Sequence, residues 1–343
     1  MHFQAFRDGE GCLSYLIACE ESCAAAVIDP ALDLVDRYVG ELGIHGLRLR
    51  LIIDTHTHAD HFSGARELRR RCDAPIVMHR HSPAPHIDLR VEDGHSLPLG
   101  ALRLRVLHTP GHTLDSMAIH VEDRVFTGDT MLIGGTGRSD LPSGNPEQLF
   151  DSLFGKLLAL PDETLVYPAH DYKGRDHTTI GDERATNPRL AKTRREDFVA
   201  LMNGLNLSAP THLTEALRTN MSGGKTVRQF LAEAASRVPF MTMDELSRRL
   251  EARANDFVVL DVREKDAFAA GHVPGAVHLP RGQLELRVNE LLPDPSVAIL
   301  TICEFGKIST LAAATLRELG FTRAAALDGG MSAWREQGFP VEG

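Results

Sequence analysis

His56-Thr57-His58-Ala59-Asp60-His61 places three histidines and an aspartate within six residues. Just before it, Leu49-Arg50-Leu51-Ile52-Ile53-Asp54 reads as a strand running into a loop, and Ser63 to Cys72 reads as the following helix. Loops at the carboxyl ends of strands are where α/β folds carry their chemistry. Imidazoles and a carboxylate this close together can converge there on one or two cations. Three further segments put candidate ligands at strand ends: Thr109-Pro110-Gly111-His112-Thr113, Thr127-Gly128-Asp129-Thr130 and Tyr167-Pro168-Ala169-His170-Asp171. Any one of these His or Asp residues alone would read as a surface or hydrogen-bonding residue. Four such motifs in one order imply a shared purpose.

The rest of the chain bounds that purpose. At 343 residues, 43% hydrophobic and 24% charged, it has material for about two packed domains. A formal net charge of -10 disfavours nucleic acid or an anionic membrane as partner. No apolar run approaches the roughly eighteen residues of a membrane span. The start, Met1-His2-Phe3-Gln4-Ala5-Phe6-Arg7-Asp8, lacks the basic and apolar regions of a signal peptide. Five scattered cysteines (Cys12, Cys19, Cys23, Cys72 and Cys303) argue for a reducing compartment, so a cytoplasmic location is expected. A homodimer is compatible with this composition, which leaves the oligomeric state open. Among the 17 histidines, His79, His81 and His86 read as solvated loop residues, and His95, His108 and His120 as structural ones.

Leu102 to Leu107 alternates as a half-buried strand. Asn145-Pro146 opens a helix, with Asn145 as N-cap and Leu149, Leu153 and Leu157 as its buried stripe. The stretch from about Asn187 to Ser236 reads as mostly helical, interrupted at Ser222-Gly223-Gly224-Lys225. A second α/β pattern begins near Pro239. Thr242 caps a helix there, Phe257–Leu260 and Val297–Leu300 read as short buried strands, and helices follow at Ser309–Leu319 and Ser332–Glu336. The expected domains are 1–237 and 238–343.

The four histidine and aspartate motifs resemble the metallo-β-lactamase superfamily over roughly residues 1 to 180. The resemblance implies an αββα sandwich with the metal between the edges of two sheets. Gly137-Arg138-Ser139-Asp140, Tyr167 to Tyr172, Asn187-Pro188-Arg189-Leu190 and Met202-Asn203-Gly204-Leu205-Asn206-Leu207 narrow it. Together they resemble the persulfide dioxygenase (ethylmalonic encephalopathy protein-like) family. Carried over residue by residue, this implies one Fe(II) per chain held by His56, His112 and Asp129, a triad with open positions. His58, Asp60, His61 and His170 would orient those ligands or handle protons. The implied reaction oxidises glutathione persulfide with O2 to sulfite and glutathione. Arg138 is the candidate for a glutathione carboxylate, Asp140 for its amine, and Tyr172 for the pocket wall. An Arg138–Asp140 ion pair holding their own loop is the competing reading. The competing enzyme is a binuclear zinc hydrolase of glutathione thioesters, similar to glyoxalase II, with a non-catalytic or regulatory second module.

Cys303 follows the strand 297–302, and Glu304-Phe305-Gly306-Lys307-Ile308 leads into a helix. Loop amides and a helix N-terminus favour a thiolate there. The other four cysteines lack this placement and read as structural. With Asp261-Val262-Arg263-Glu264, Gly271 to Ala276 and Asp328 to Trp334, the segment 238–343 resembles a rhodanese, whose sheet is mostly parallel. That resemblance makes Cys303 the carrier of a transient persulfide, moving sulfur among glutathione persulfide, sulfite and thiosulfate. Rhodaneses often place Arg where Glu304 and Ile308 stand here. Thiosulfate is therefore expected to be a poor donor and glutathione persulfide a better one, unless Arg263 and Arg281 compensate.

Overall fold

The computed structural model describes residues 1–9, 11–205, 207, 213–254 and 256–343. Asn206 of the 202–207 motif lies outside the described residues. Strands β1 (His2–Arg7), β2 (Leu13–Cys19), β3 (Ala24–Ile28), β4 (Arg48–Ile53), β5 (Ile76–His79) and β6 (Leu89–Val91) form one sheet in that order. A second sheet runs β14-β13-β10-β9-β8-β7. Its strands are β7 (Ser96–Leu99), β8 (Leu102–His108), β9 (Met117–Val121), β10 (Arg124–Gly128), β13 (Leu165–Pro168) and β14 (Thr178–Thr179). The short pair β11 (Met131–Leu132) and β12 (Gly135–Thr136) lies between β10 and β13 in sequence.

Alternation explains the layering. In β8, Leu102, Leu104 and Val106 are buried while Arg103 and Arg105 are exposed. The inner faces meet in one core that includes Tyr15, Ile17, Ile53, Leu104, Ile119 and Phe126. Helices Val35–Ile44 and Ala65–Cys72 cover the outer face of the first sheet through Tyr38 and Leu68. Helices Pro146–Ser152 and Arg195–Asn203 cover the second through Leu149 and Phe198. This is the expected αββα sandwich. Asn145 caps its helix by accepting from Gln148 N at 2.8 Å, and Leu149, Leu153 and Leu157 are fully buried.

The chain divides into compact units Met1–Gly224 and Lys225–Gly343. The division falls at the Ser222–Lys225 interruption, ahead of the expected boundary at 237. The reason is the helix Val227–Arg237: Ala234 and the following Val238 pack against Ala313, Ala314 and Ala326 of the second unit. That unit's sheet runs β15 (Phe240–Met241), β19 (Ala324–Leu327), β18 (Ala298–Ile302), β16 (Phe257–Asp261), β17 (Val277–His278), with every pairing parallel. Buried Trp334 anchors one of its cores and donates to Pro340 O at 2.8 Å. Among the described residues no helix is long and apolar enough to cross a membrane.

Candidate metal centre

The carboxyl ends of β4, β8, β10 and β13 deliver His56, His112, Asp129 and His170 to one place. At β4, Thr55 Oγ1 donates to Asp29 Oδ2 at 3.0 Å, and its oxygen lies 3.0 Å from His56 Nδ1. With the hydroxyl proton spent on Asp29, Thr55 accepts from Nδ1–H, and Nε2 carries the lone pair. His112 Nδ1 likewise donates to Arg138 O at 2.8 Å. Asp129 Oδ2 lies 4.0 Å from His56 Nε2 and 3.7 Å from His112 Nε2. His56 Nε2 is buried with no hydrogen-bond partner among the described residues. Two free imidazole nitrogens and a carboxylate oxygen, all within 4.8 Å of one another, fit one cation. Gly128 makes this approach possible: at φ +52° a Cβ there would stand 2.4 Å from Thr55 Oγ1.

His58, Asp60, His61 and His170 do not form one group. Asp60, His61 and His170 cluster with Cys12, whereas His58 turns to Asp29 and Asp54, its Nε2 3.2 Å from Asp29 Oδ1. Cys12, read as structural, lies among these potential ligands. An isolated bridge pairs Cys12 with His170, and nothing in the local sequence signals it. His170 stands between two carboxylates, Nδ1 at 2.6 Å from Asp129 Oδ1 and Nε2 at 2.5 Å from Asp60 Oδ2. Burial opposes its protonation, but the two carboxylates outweigh burial and raise its pKa well above the usual histidine value. For Asp129, burial acts upward and is overcome by His170, His112 and His56, which hold it below the carboxylate range. Burial, aided by the charge of His58, lowers His56 to about 3, so it stays neutral and available as a ligand. His79, expected to be solvated, instead ends β5 buried and stacks on His108 at 3.7 Å.

A cavity of about 740 Å³ opens over this centre. Arg138 and Tyr172 line it, as expected. Asp140 does not. It instead accepts from Arg138 Nε at 2.6 Å and Nη2 at 2.7 Å, the ion pair held open as the competing reading. Arg189, quoted above only as part of a motif, also lines the cavity. Its Nη1 donates to Thr136 O at 2.5 Å and Oγ1 at 2.9 Å, and no carboxylate pairs with it among the described residues.

In the second unit Cys303 is buried between β18 and the helix Lys307–Glu318. Its Sγ donates to Ser309 Oγ at 3.3 Å, and its carbonyl accepts from Met331 N at 2.9 Å. Glu304 pairs with Arg263 at 3.1 Å and with Arg335. Arg281 is taken up by Glu285 and Thr315.

Residues 7–170 match the Metallo-beta-lactamase superfamily and 242–337 the Rhodanese-like domain. The chain is 38% identical over 226 residues to the persulfide dioxygenase ETHE1, mitochondrial, of Homo sapiens, spanning 64% of this chain and 87% of that one. The chain belongs to the persulfide dioxygenase family. The crystal structure of ETHE1 from Myxococcus xanthus superposes with a TM-score of 0.64 at 43% identity, covering 66% of this chain and all of that one. A hydroxyacylglutathione hydrolase of Photobacterium profundum is 40% identical, but over only 44% of this chain and 59% of its own length. The dioxygenase relatives thus match about two thirds of this chain, and this family member also carries a rhodanese-like domain over residues 242–337.

Proposed function

We propose that the first unit oxidises glutathione persulfide with O2 and water to sulfite and glutathione, and that the second passes sulfane sulfur through Cys303. The first unit would use one Fe(II) on His56, His112 and Asp129. The observation that carries this is the convergence of two Nε2 atoms and one carboxylate oxygen, each oriented from behind. When bound, the ion supplies the redox chemistry that dioxygen and a persulfide sulfur lack on their own. The chain's own residues do the rest. Thr55 and the Arg138 carbonyl fix the imidazole tautomers. Protonated His170 occupies the second oxygen of Asp129, so that the carboxylate offers the centre a single oxygen, and it stores a proton at the cavity floor. Arg189, which no carboxylate pairs with among the described residues, offers its guanidinium to a substrate carboxylate, and Tyr172, 75% exposed, forms the rim.

Oxygen-electrode traces with iron-loaded protein and glutathione persulfide test this; no oxygen uptake would overturn it. A binuclear zinc thioester hydrolase is the second reading, favoured by the grouping of Cys12, Asp60, His61 and His170 beside the first site. Two zinc ions per chain by mass spectrometry would support it, and one iron the dioxygenase. For the second unit, unchanged sulfur transfer in Cys303→Ser would remove that cysteine from the reaction.

A further inference from the structure

Arg263, Arg335 and Arg281 of the second unit are each already matched by a carboxylate. Arg263 is nearly fully buried, and donates from Nε and Nη2 to Asp261, the latter at 2.6 Å, and from Nη1 to Glu304 at 3.1 Å. Burial acts to lower the Arg263 pKa, and Asp261 and Glu304 more than reverse that, as expected for a guanidinium held by two carboxylates. Arg335 is bound by the other oxygen of Glu304. Arg281, the remaining candidate, belongs to Glu285 and Thr315. Within the loop itself the cation is Lys307, which is exposed. Beside the cysteine, Phe305 is 70% and Ile308 50% exposed, so the loop offers an incoming molecule apolar surface where a charged fork would be needed for a dianion.

We infer that Glu304 makes this loop accept sulfane sulfur carried on an organic thiol and reject inorganic dianions such as thiosulfate. The inference rests on the sulfur-transfer reading of the second unit. In the accepted reaction the Cys303 thiolate attacks the terminal sulfur of an organic persulfide. The new S–S bond forms as the donor's S–S bond breaks, and the electron pair leaves on the organic thiolate. Nothing is oxidised or reduced overall. In thiosulfate the sulfonate charge sits one bond from the transferred sulfur, so it must approach Glu304 and then leave as sulfite, another dianion. In an organic persulfide the carrier's charges lie several bonds away, and its carbon skeleton can rest on Phe305 and Ile308.

The test uses the full chain under anaerobic conditions, so that the first unit cannot consume the donor. Intact-mass spectrometry follows the gain of one sulfur atom on Cys303, with Cys303→Ser as background. Wild-type protein should load faster from glutathione persulfide than from thiosulfate. Its thiosulfate rate should respond little to salt, because Asp261 and Glu304 cancel Arg263 and Arg335 and leave no net local charge to screen. Glu304→Gln, which keeps the shape but frees Arg335 and the Nη1 of Arg263, should speed thiosulfate loading about tenfold, a change of about 1.4 kcal/mol. Loading from glutathione persulfide should change much less. A thiosulfate rate unchanged by Glu304→Gln would overturn the inference while leaving sulfur transfer intact. Wild-type loading from thiosulfate as fast as from glutathione persulfide would overturn it too, and that comparison needs no variant. Loading from neither donor would overturn the transfer reading itself.

Discussion

Each residue at the metal centre is set by a partner behind it. His112→Ala removes one of two imidazole donors and leaves Asp129 Oδ2 without the ring nitrogen that stands 3.7 Å away. We expect at least a tenfold loss of iron affinity with the fold retained, measured by metal content and circular dichroism. Asp54 is a second residue-scale case. Burial, joined by the charge of Asp29, pushes its carboxyl up to about 7 from an ordinary 3.8, and its Oδ1 has no partner among the described residues. A carboxylic acid with a raised native pKa costs stability as pH climbs past its unfolded value, and the cost is complete above its native one. Asp54→Asn should therefore stabilise metal-free protein, with a gain that grows by on the order of 2 kcal/mol between about pH 5 and pH 8. Urea melts at the two pH values measure it; equal gains would contradict the burial argument. The sequence placed His56, His112 and Asp129 after strands, and the family resemblance singled them out as a triad. Cys12 and Asp29 were not legible in this way, since their roles depend on strands that meet only in three dimensions.

At the scale of elements, the loop after β8 is held against the helix Pro146–Ser152. Gly111 adopts φ +135°, and a Cβ there would lie 2.3 Å from Leu149 N and Cα. Asn145, the helix's cap, donates its own N–H to Gly111 O at 2.8 Å. Gly111→Ala must push the helix away or move His112. We expect a loss of about 2–4 kcal/mol and weakened metal binding, seen as a lower thermal midpoint that excess metal only partly restores. The strands and helices themselves were legible, because their periodicity and caps are local. The exact limits of the Leu149 helix were not: after Ser152 it continues as a π-helical turn over Leu153–Leu157, a distortion set by packing on the second sheet.

For the whole molecule, two compact units with a candidate metal centre in the first give a divided response. Chelation should lower the unfolding temperature of the unit Met1–Gly224 and leave that of Lys225–Gly343 in place, because an ion stabilises only the fold that binds it. Scanning calorimetry with and without chelator resolves the two; a single transition that moves as one would show the units to be energetically inseparable. The helix Val227–Arg237 belongs to the second unit through contacts with residues some eighty positions away, as its Arg237–Glu318 ion pair illustrates. A sequence boundary drawn at the change of pattern near Pro239 could not register that.

By itself the sequence determined the strands, the caps and the four histidine and aspartate motifs, because alternation, capping and spacing are local and periodic; family resemblance supplied the sandwich, the rhodanese-like domain and the choice of His56, His112 and Asp129 as a triad. Tertiary structure alone decided which partners complete those sites. It brought Cys12 to His170, joined Asp29 through Thr55 to His56, tied Arg138 to Asp140, and spent Arg263 and Arg335 on Glu304. Pairing of charges and orphaning of donors depend on distances across the fold, and those follow from how whole sheets and helices pack.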